Sequence, residues 1–139
     1  MYSVSAYDDF ARCADSIAGQ IIHECGGGDL SLPQTYVAAA TAAGLLVVAF
    51  YLRGGVRGWY ERDKGGREGL YYNTAYTEDT QARVLVHERA HSIIAERERE
   101  MYPCSVPDVV IAGYDDSLLS NEAHRLCRRV EKLVVVGIR

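Results

Sequence analysis

Residues 86–91 read VHERAH and contain the pattern H-E-x-x-H. On a helix, residues i and i+4 lie on one face, so we expect the imidazoles of His87 and His91 to point the same way. Two imidazoles at this spacing can bind one tetrahedral zinc ion. Glu88 would lie beside that ion, where a carboxylate can accept a proton from an activated water molecule. The pattern predicts a metal site with a general base.

The sequence around the pattern favours a helix. Thr77 is a typical N-cap residue, and the two acids that follow it suit the first turn of a helix. No Gly or Pro occurs from Thr80 to about Arg99, and apolar residues recur at helical spacing. Two other interpretations stay open: a metal site without catalysis, and a surface helix that carries two histidines by chance.

The length suits one domain that covers residues 1–139, and the helices and strands predicted below give it an α+β class. The formal net charge of −4 gives no general attraction to nucleic acid, so we expect no direct nucleic-acid binding. The four cysteines form no C-x-x-C pair, which favours reduced thiols and a cytoplasmic protein; they are Cys13, Cys25, Cys104 and Cys127. The first ten residues lack the basic run of a secretory signal.

An uncharged stretch from Tyr36 to Leu52 approaches the length of a membrane span. Gly44 interrupts it, and its second half is rich in strand-forming residues, so a helix that stops before a buried strand explains it better. We therefore predict no membrane contact.

The remaining elements follow from periodicity and from turn residues. Helices are predicted at Ala6–Cys25, Pro33–Ala43 and Ser117–Val135. Strands are predicted at Leu45–Leu52, Val56–Glu61 and Gly69–Asn73, with another short one at 109–111. Because short Gly-containing turns join the first three strands, we expect a small, mainly antiparallel three-stranded meander. If the strand Gly69–Asn73 lies at the sheet edge, it could bind an extended peptide.

A second zinc-like start, His23-Glu24, has Gly27 where the second histidine would be. We therefore interpret His23 as a surface residue near the end of the first helix.

A catalytic zinc ion needs a third protein ligand. The candidates on the last helix are Glu122, His124 and Glu131. The apolar stripe of that helix is taken as Leu119, Ala123, Leu126, Val130 and Leu133. Glu122 lies about 60° from the centre of this stripe, and the other two candidates lie more than about 100° away. Glu122 is thus predicted to face the site, whereas His124 and Glu131 are predicted to face solvent. His124 is the alternative third ligand. Asp115 and Asp116 are more remote candidates.

The chain resembles the ImmA/IrrE family of zinc metallopeptidases from about Thr35 to Val135. The resemblance is carried by TAAGLLVV at 41–48, by GLYYNTAYTEDTQARVLVHERAH at 69–91 and by NEAHRLC at 121–127. It implies a zincin-like fold, with His87 and His91 as zinc ligands, Glu88 as general base and a glutamate near position 122 as third ligand.

The resulting hypothesis is a zinc-dependent endopeptidase. Tyr72, Tyr102 and Tyr114 are candidates for an additional donor to the oxyanion. The family resemblance implies a regulatory peptidase that cleaves a partner protein such as a transcriptional repressor, in a phage, mobile-element or stress-response setting. The alternative is a non-enzymatic, metal-containing regulator that binds a repressor or another partner protein.

Overall fold

The computed structural model describes residues 4–101 and 121–135, and their side chains over 10–97 and 123–135. Within these ranges it contains four helices and one three-stranded mixed sheet, which confirms the α+β class. The helices are α1 (Val4–Glu24), α2 (Pro33–Ala42), α3 (Glu78–Met101) and α4 (Asn121–Val134). The strands are β1 (Leu46–Phe50), β2 (Gly58–Arg62) and β3 (Glu68–Asn73). The strand predicted at 109–111 lies outside the described residues.

The uncharged stretch from Tyr36 to Leu52 divides where the sequence predicted. Gly44 has a φ of 94°, which lies in the left-handed region that an L side chain rarely adopts. The chain thereby leaves α2 and enters β1 within four residues. None of the helices in the described ranges has the length and apolar character needed to cross a membrane.

The strand order corrects the predicted meander. The order is β1-β3-β2, with β1 parallel to β3 and β2 antiparallel to β3. β3, the central strand, has four buried residues, whereas β2 has one and β1 has none. The segment 51–57 is long enough to pass over the end of β3, so β1 and β2 pair with opposite edges of the same strand.

Asn73 holds that crossing segment in place. Its side-chain amide donates to the carbonyl oxygens of Leu52 and Val56 at 2.7 and 3.0 Å. Its Oδ1 accepts from the backbone N–H groups of Leu52 and Ala75 at 3.0 and 2.9 Å. Because Asn73 is 1% exposed, these bonds satisfy a buried amide and fix the connection from β1 to β2.

Helix α3 lies at the centre of the molecule and contacts the other three helices, β2 and β3. The main core combines buried residues of α1, α3 and α4, including Ile17, Val86 and Val130. A smaller cluster under the sheet includes Tyr60, Leu70 and Ala95. The burial of α3 on several sides explains why its motif residues are shielded from solvent.

Candidate metal centre

The motif helix begins as its sequence predicted. The Thr77 hydroxyl accepts a hydrogen bond from the backbone N–H of Thr80 at 3.2 Å, which is the geometry of an N-cap. Glu78 and Asp79 occupy the first turn, where the helix dipole favours negative charge. The cap fixes the start of α3 about two and a half turns before the first motif histidine.

His87 and His91 lie on one face of α3, as their spacing requires. Their ring centroids are 5.0 Å apart, and the two residues are 9% and 4% exposed. Glu88, between them in sequence, is 8% exposed. A surface helix with two chance histidines is therefore excluded, because all three side chains are buried.

A third imidazole reaches this pair from α4. The His124 ring centroid lies 4.9 Å from that of His87 and 6.1 Å from that of His91. One ring nitrogen from each histidine can be chosen so that all three lie within 4.8 Å of one another. The three histidines are close enough to bind a metal ion.

The donor set fits a tetrahedral metal ion. Zinc–nitrogen bonds of about 2.0–2.1 Å place two ligand nitrogens about 3.3 Å apart, so modest side-chain rotations would bring the three nitrogens onto one ion. A metal ligand must also be neutral imidazole. Burial, and then the nearby His87 and His124, lower the pKa of His91 to about 3, so its ring is neutral at physiological pH.

Glu131 of α4 contacts the cluster through His87. Its Oε2 lies 3.3 Å from His87 Nδ1, so this nitrogen can donate to the carboxylate and leave Nε2 for a metal ion. Carboxylates in this position fix the tautomer and the orientation of a ligating imidazole. The helix that supplies the third histidine also supplies this contact.

The positions of His124 and Glu131 correct the prediction that both face solvent. Cys127 and Val134 are fully buried, whereas Leu133, which the sequence argument placed in the stripe, is only partly buried. The centre of the buried stripe therefore shifts by about 40° toward His124 and Glu131. Since α4 packs on both α1 and α3, the flank with these two residues faces α3.

Several predicted site residues lie outside the described part of the structure. The side chain of Glu122 belongs to this group, so its role as third ligand stays a prediction. The others are Asp115, Asp116, Tyr102 and Tyr114. Tyr72, the remaining oxyanion candidate, is 6% exposed and belongs to the main core, which indicates a packing role.

The two residues of the incomplete motif, His23 and Glu24, lie in different surroundings. His23 is exposed in the last turn of α1, as predicted. Glu24 instead binds Arg89 of the metal motif, with Nη2–Oε2 and Nε–Oε1 distances of 2.7 and 3.1 Å. Arg89 also donates to Ser92 Oγ at 2.8 Å. Arg89 thus faces α1 while the two motif histidines face α4.

A cleft of about 540 Å³ adjoins the cluster. His87, Glu88 and His124 lie at one part of its wall. The wall continues along α3 and α4. It also includes residues 56–58, which lead into β2. Gly58 there lies so close to α3 that an added Cβ would be 2.5 Å from Val84 Cγ1. The absence of a side chain at Gly58 thus lets the start of β2 pack directly against α3.

Comparisons with family models, with curated proteins and with solved structures gave no significant match to this chain.

Proposed function

We propose that the chain is a zinc-dependent endopeptidase in which His87, His91 and His124 hold the metal. The observation that carries the proposal is the third imidazole, which joins the H-E-x-x-H pair beside an open cleft. Three protein ligands that leave one coordination position open are typical of catalytic zinc sites. The family resemblance instead implies a glutamate near position 122, and we propose His124 in its place.

Zinc, when bound, would supply Lewis-acid polarisation of a carbonyl group and would lower the pKa of a coordinated water to about 7. The protein's own contribution starts with three neutral imidazoles on two packed helices. Glu131 orients His87 through Nδ1. The surrounding core excludes bulk water from His91.

Glu88 is the proposed general base. It is buried, and it lines the cleft next to His87 and His124. In peptide hydrolysis, its carboxylate accepts a proton from the attacking water and then gives that proton to the nitrogen of the leaving amine. Positioned proton transfer of this kind typically contributes about 10² to 10⁴ in rate.

β2 is a suitable place for an extended substrate. It pairs only with β3 in the described sheet, and its first residue, Gly58, lines the cleft. An unpaired strand edge can bind a peptide by strand addition. The strand first considered for this role, Gly69–Asn73, is excluded because β3 is central. A partner protein with an accessible extended segment, such as a transcriptional repressor, is the substrate that the resemblance implies.

A second candidate is a non-enzymatic, metal-containing regulator that binds such a partner. The observation that favours it is Glu131, whose carboxylate lies at the edge of the histidine cluster. A fourth protein ligand would close the site, and closed four-ligand zinc sites are structural.

Glu88→Gln separates the two candidates, because it keeps the side-chain volume and removes the base. The zinc-loaded variant and the wild type are incubated with a total protein extract, and new peptide N-termini are counted. We expect the variant to keep its zinc and to lose at least about 100-fold in cleavage rate. Glu96→Gln, an exposed carboxylate on the same helix, is the matched control and should cleave normally. Full activity of Glu88→Gln would refute the peptidase.

A further inference from the structure

The cleft beside the histidine cluster is basic, although the chain as a whole has a net charge of −4. Four basic side chains line it against two carboxylates. The basic residues are Arg57, Arg83, Arg128 and Lys132, and the carboxylates are Glu88 and Glu131. A basic cleft on an acidic protein attracts an anionic ligand to one place, because the negative charges elsewhere on the surface repel that ligand.

The two carboxylates of the cleft already have roles at the metal centre. Glu131 contacts His87 Nδ1, and Glu88 adjoins the histidines as the proposed base. A divalent cation held by the histidines would add further positive charge. With that cation bound, the charge of the two carboxylates would be offset, and the four basic side chains would leave the cleft positive.

Two of the basic residues lie on α4, the helix that carries His124. Arg128 and Lys132 follow His124 by one and by two helical turns, or about 6 and 12 Å along the helix axis. Both are exposed and both line the cleft. Within the side chains described, at 10–97 and 123–135, neither residue forms an ion pair. Neither residue is therefore held by a carboxylate among these described side chains.

The other two basic residues are held by neighbours. Arg83, one turn before His87 on α3, donates to Asp79 Oδ2 at 3.0 Å. The Arg57 guanidinium lies over the Tyr76 ring, 5.6 Å from its centroid. Both side chains line the cleft and have these partners within the protein.

We propose that this cleft binds a peptide segment with two acidic side chains on one side of the bond that is cut. The inference rests on the proposed function, because it takes the histidine cluster as the place of cleavage. An extended peptide rises about 3.3 Å per residue. Arg128 and Lys132 then match acidic residues about two and about four positions from the scissile bond.

Binding is measured on an array of decapeptides with the zinc-loaded Glu88→Gln variant, which does not consume them. Peptides with two Asp or Glu residues separated by one other residue are compared with the same peptides carrying Asn or Gln. We expect the acidic peptides to bind about fivefold to tenfold more tightly, as two partly exposed ion pairs permit. The preference should weaken in high salt.

The double change Arg128→Gln and Lys132→Gln should abolish the preference. Arg129→Gln, an exposed position on the same helix that does not line the cleft, is the matched control and should keep it. Circular dichroism and urea unfolding establish that both variants fold. Equal binding of acidic and amide peptides would overturn the proposal, as would tighter binding of an oligodeoxynucleotide.

Failure of this inference and failure of the proposed function are distinguishable on the same array. If metal analysis finds no zinc, the peptidase proposal fails, and the metal-free protein still reports whether acidic peptides are preferred. If zinc is bound and Glu88 is needed for cleavage but no acidic preference exists, the inference alone fails.

Discussion

The Glu131 carboxylate lies outside the H-E-x-x-H motif and contacts one of its histidines. It contacts His87 Nδ1 at 3.3 Å and is about three-quarters buried. Second-sphere partners of this kind hold a ligating imidazole in one orientation, and their loss costs about 10- to 100-fold in metal affinity.

We therefore expect Glu131→Gln to weaken zinc binding by about tenfold or more, with the fold intact. A competition titration with a chromophoric chelator measures the affinity. Glu96→Gln serves as control, because this exposed carboxylate of α3 lies outside the cleft. Equal affinities for the two variants would show that Glu131 does not support the site.

At the residue scale, the sequence predicts the part of the site that belongs to one helix. His87, Glu88 and His91 are related by spacing alone, and their spacing determines which side chains share a face. His124 depends on the rotation of α4 about its axis. That rotation is marked by Cys127 and Val134, two buried apolar residues that the predicted stripe left out.

At the scale of elements, Asn73 links the sheet to the cleft. It bonds four backbone groups, three of which belong to Leu52 and Val56 in the segment that crosses β3. The same segment contributes Val56 and Arg57 to the cleft wall. By binding this segment, the side chain of Asn73 holds Val56 and Arg57 in their positions in the cleft wall.

Asn73→Leu should lower the free energy of unfolding by about 2–4 kcal/mol, because it leaves buried backbone groups without partners. Urea denaturation measures the change, and limited proteolysis should cut first within residues 51–57. Thr74→Val is the neighbouring control, since the exposed Thr74 makes one side-chain bond, to the Phe50 carbonyl at 3.2 Å. Similar losses in both variants would argue against a special role for Asn73.

The types of the helices and strands could be predicted from the sequence, whereas the order of the strands in the sheet could not. The glycines at 44 and 54 and the change of apolar period mark where the helix and strands end. These are local signals. The parallel pairing of β1 with β3 depends on long-range contacts, among them the bonds of Asn73 to the crossing segment.

At the scale of the whole molecule, the ion pair between Arg89 and Glu24 joins the motif helix to α1. The Arg89 side chain is 8% exposed and that of Glu24 is 20% exposed. Removal of one partner from a buried pair leaves an uncompensated charge, which is more costly than replacement of both.

We expect Arg89→Met to lower the free energy of unfolding by about 3 kcal/mol. The double variant Arg89→Met, Glu24→Gln should be less destabilised than the sum of the single variants. Arg97→Met is the control, because Arg97 also joins α3 to α1 but binds the neutral Gln20, at 3.0 Å. Additive effects of the Arg89 and Glu24 substitutions in urea denaturation would contradict this coupling.

The central claim is that a helix pair brings three histidines to one metal ion, and zinc content measures it directly. Wild-type protein, purified without chelator and analysed by mass spectrometry of its metals, should contain about one zinc per chain. His87→Ala, His91→Ala and His124→Ala should each lose most of it, and Glu122→Ala should keep it. If Glu122→Ala loses the zinc while His124→Ala retains it, the three-histidine site is wrong.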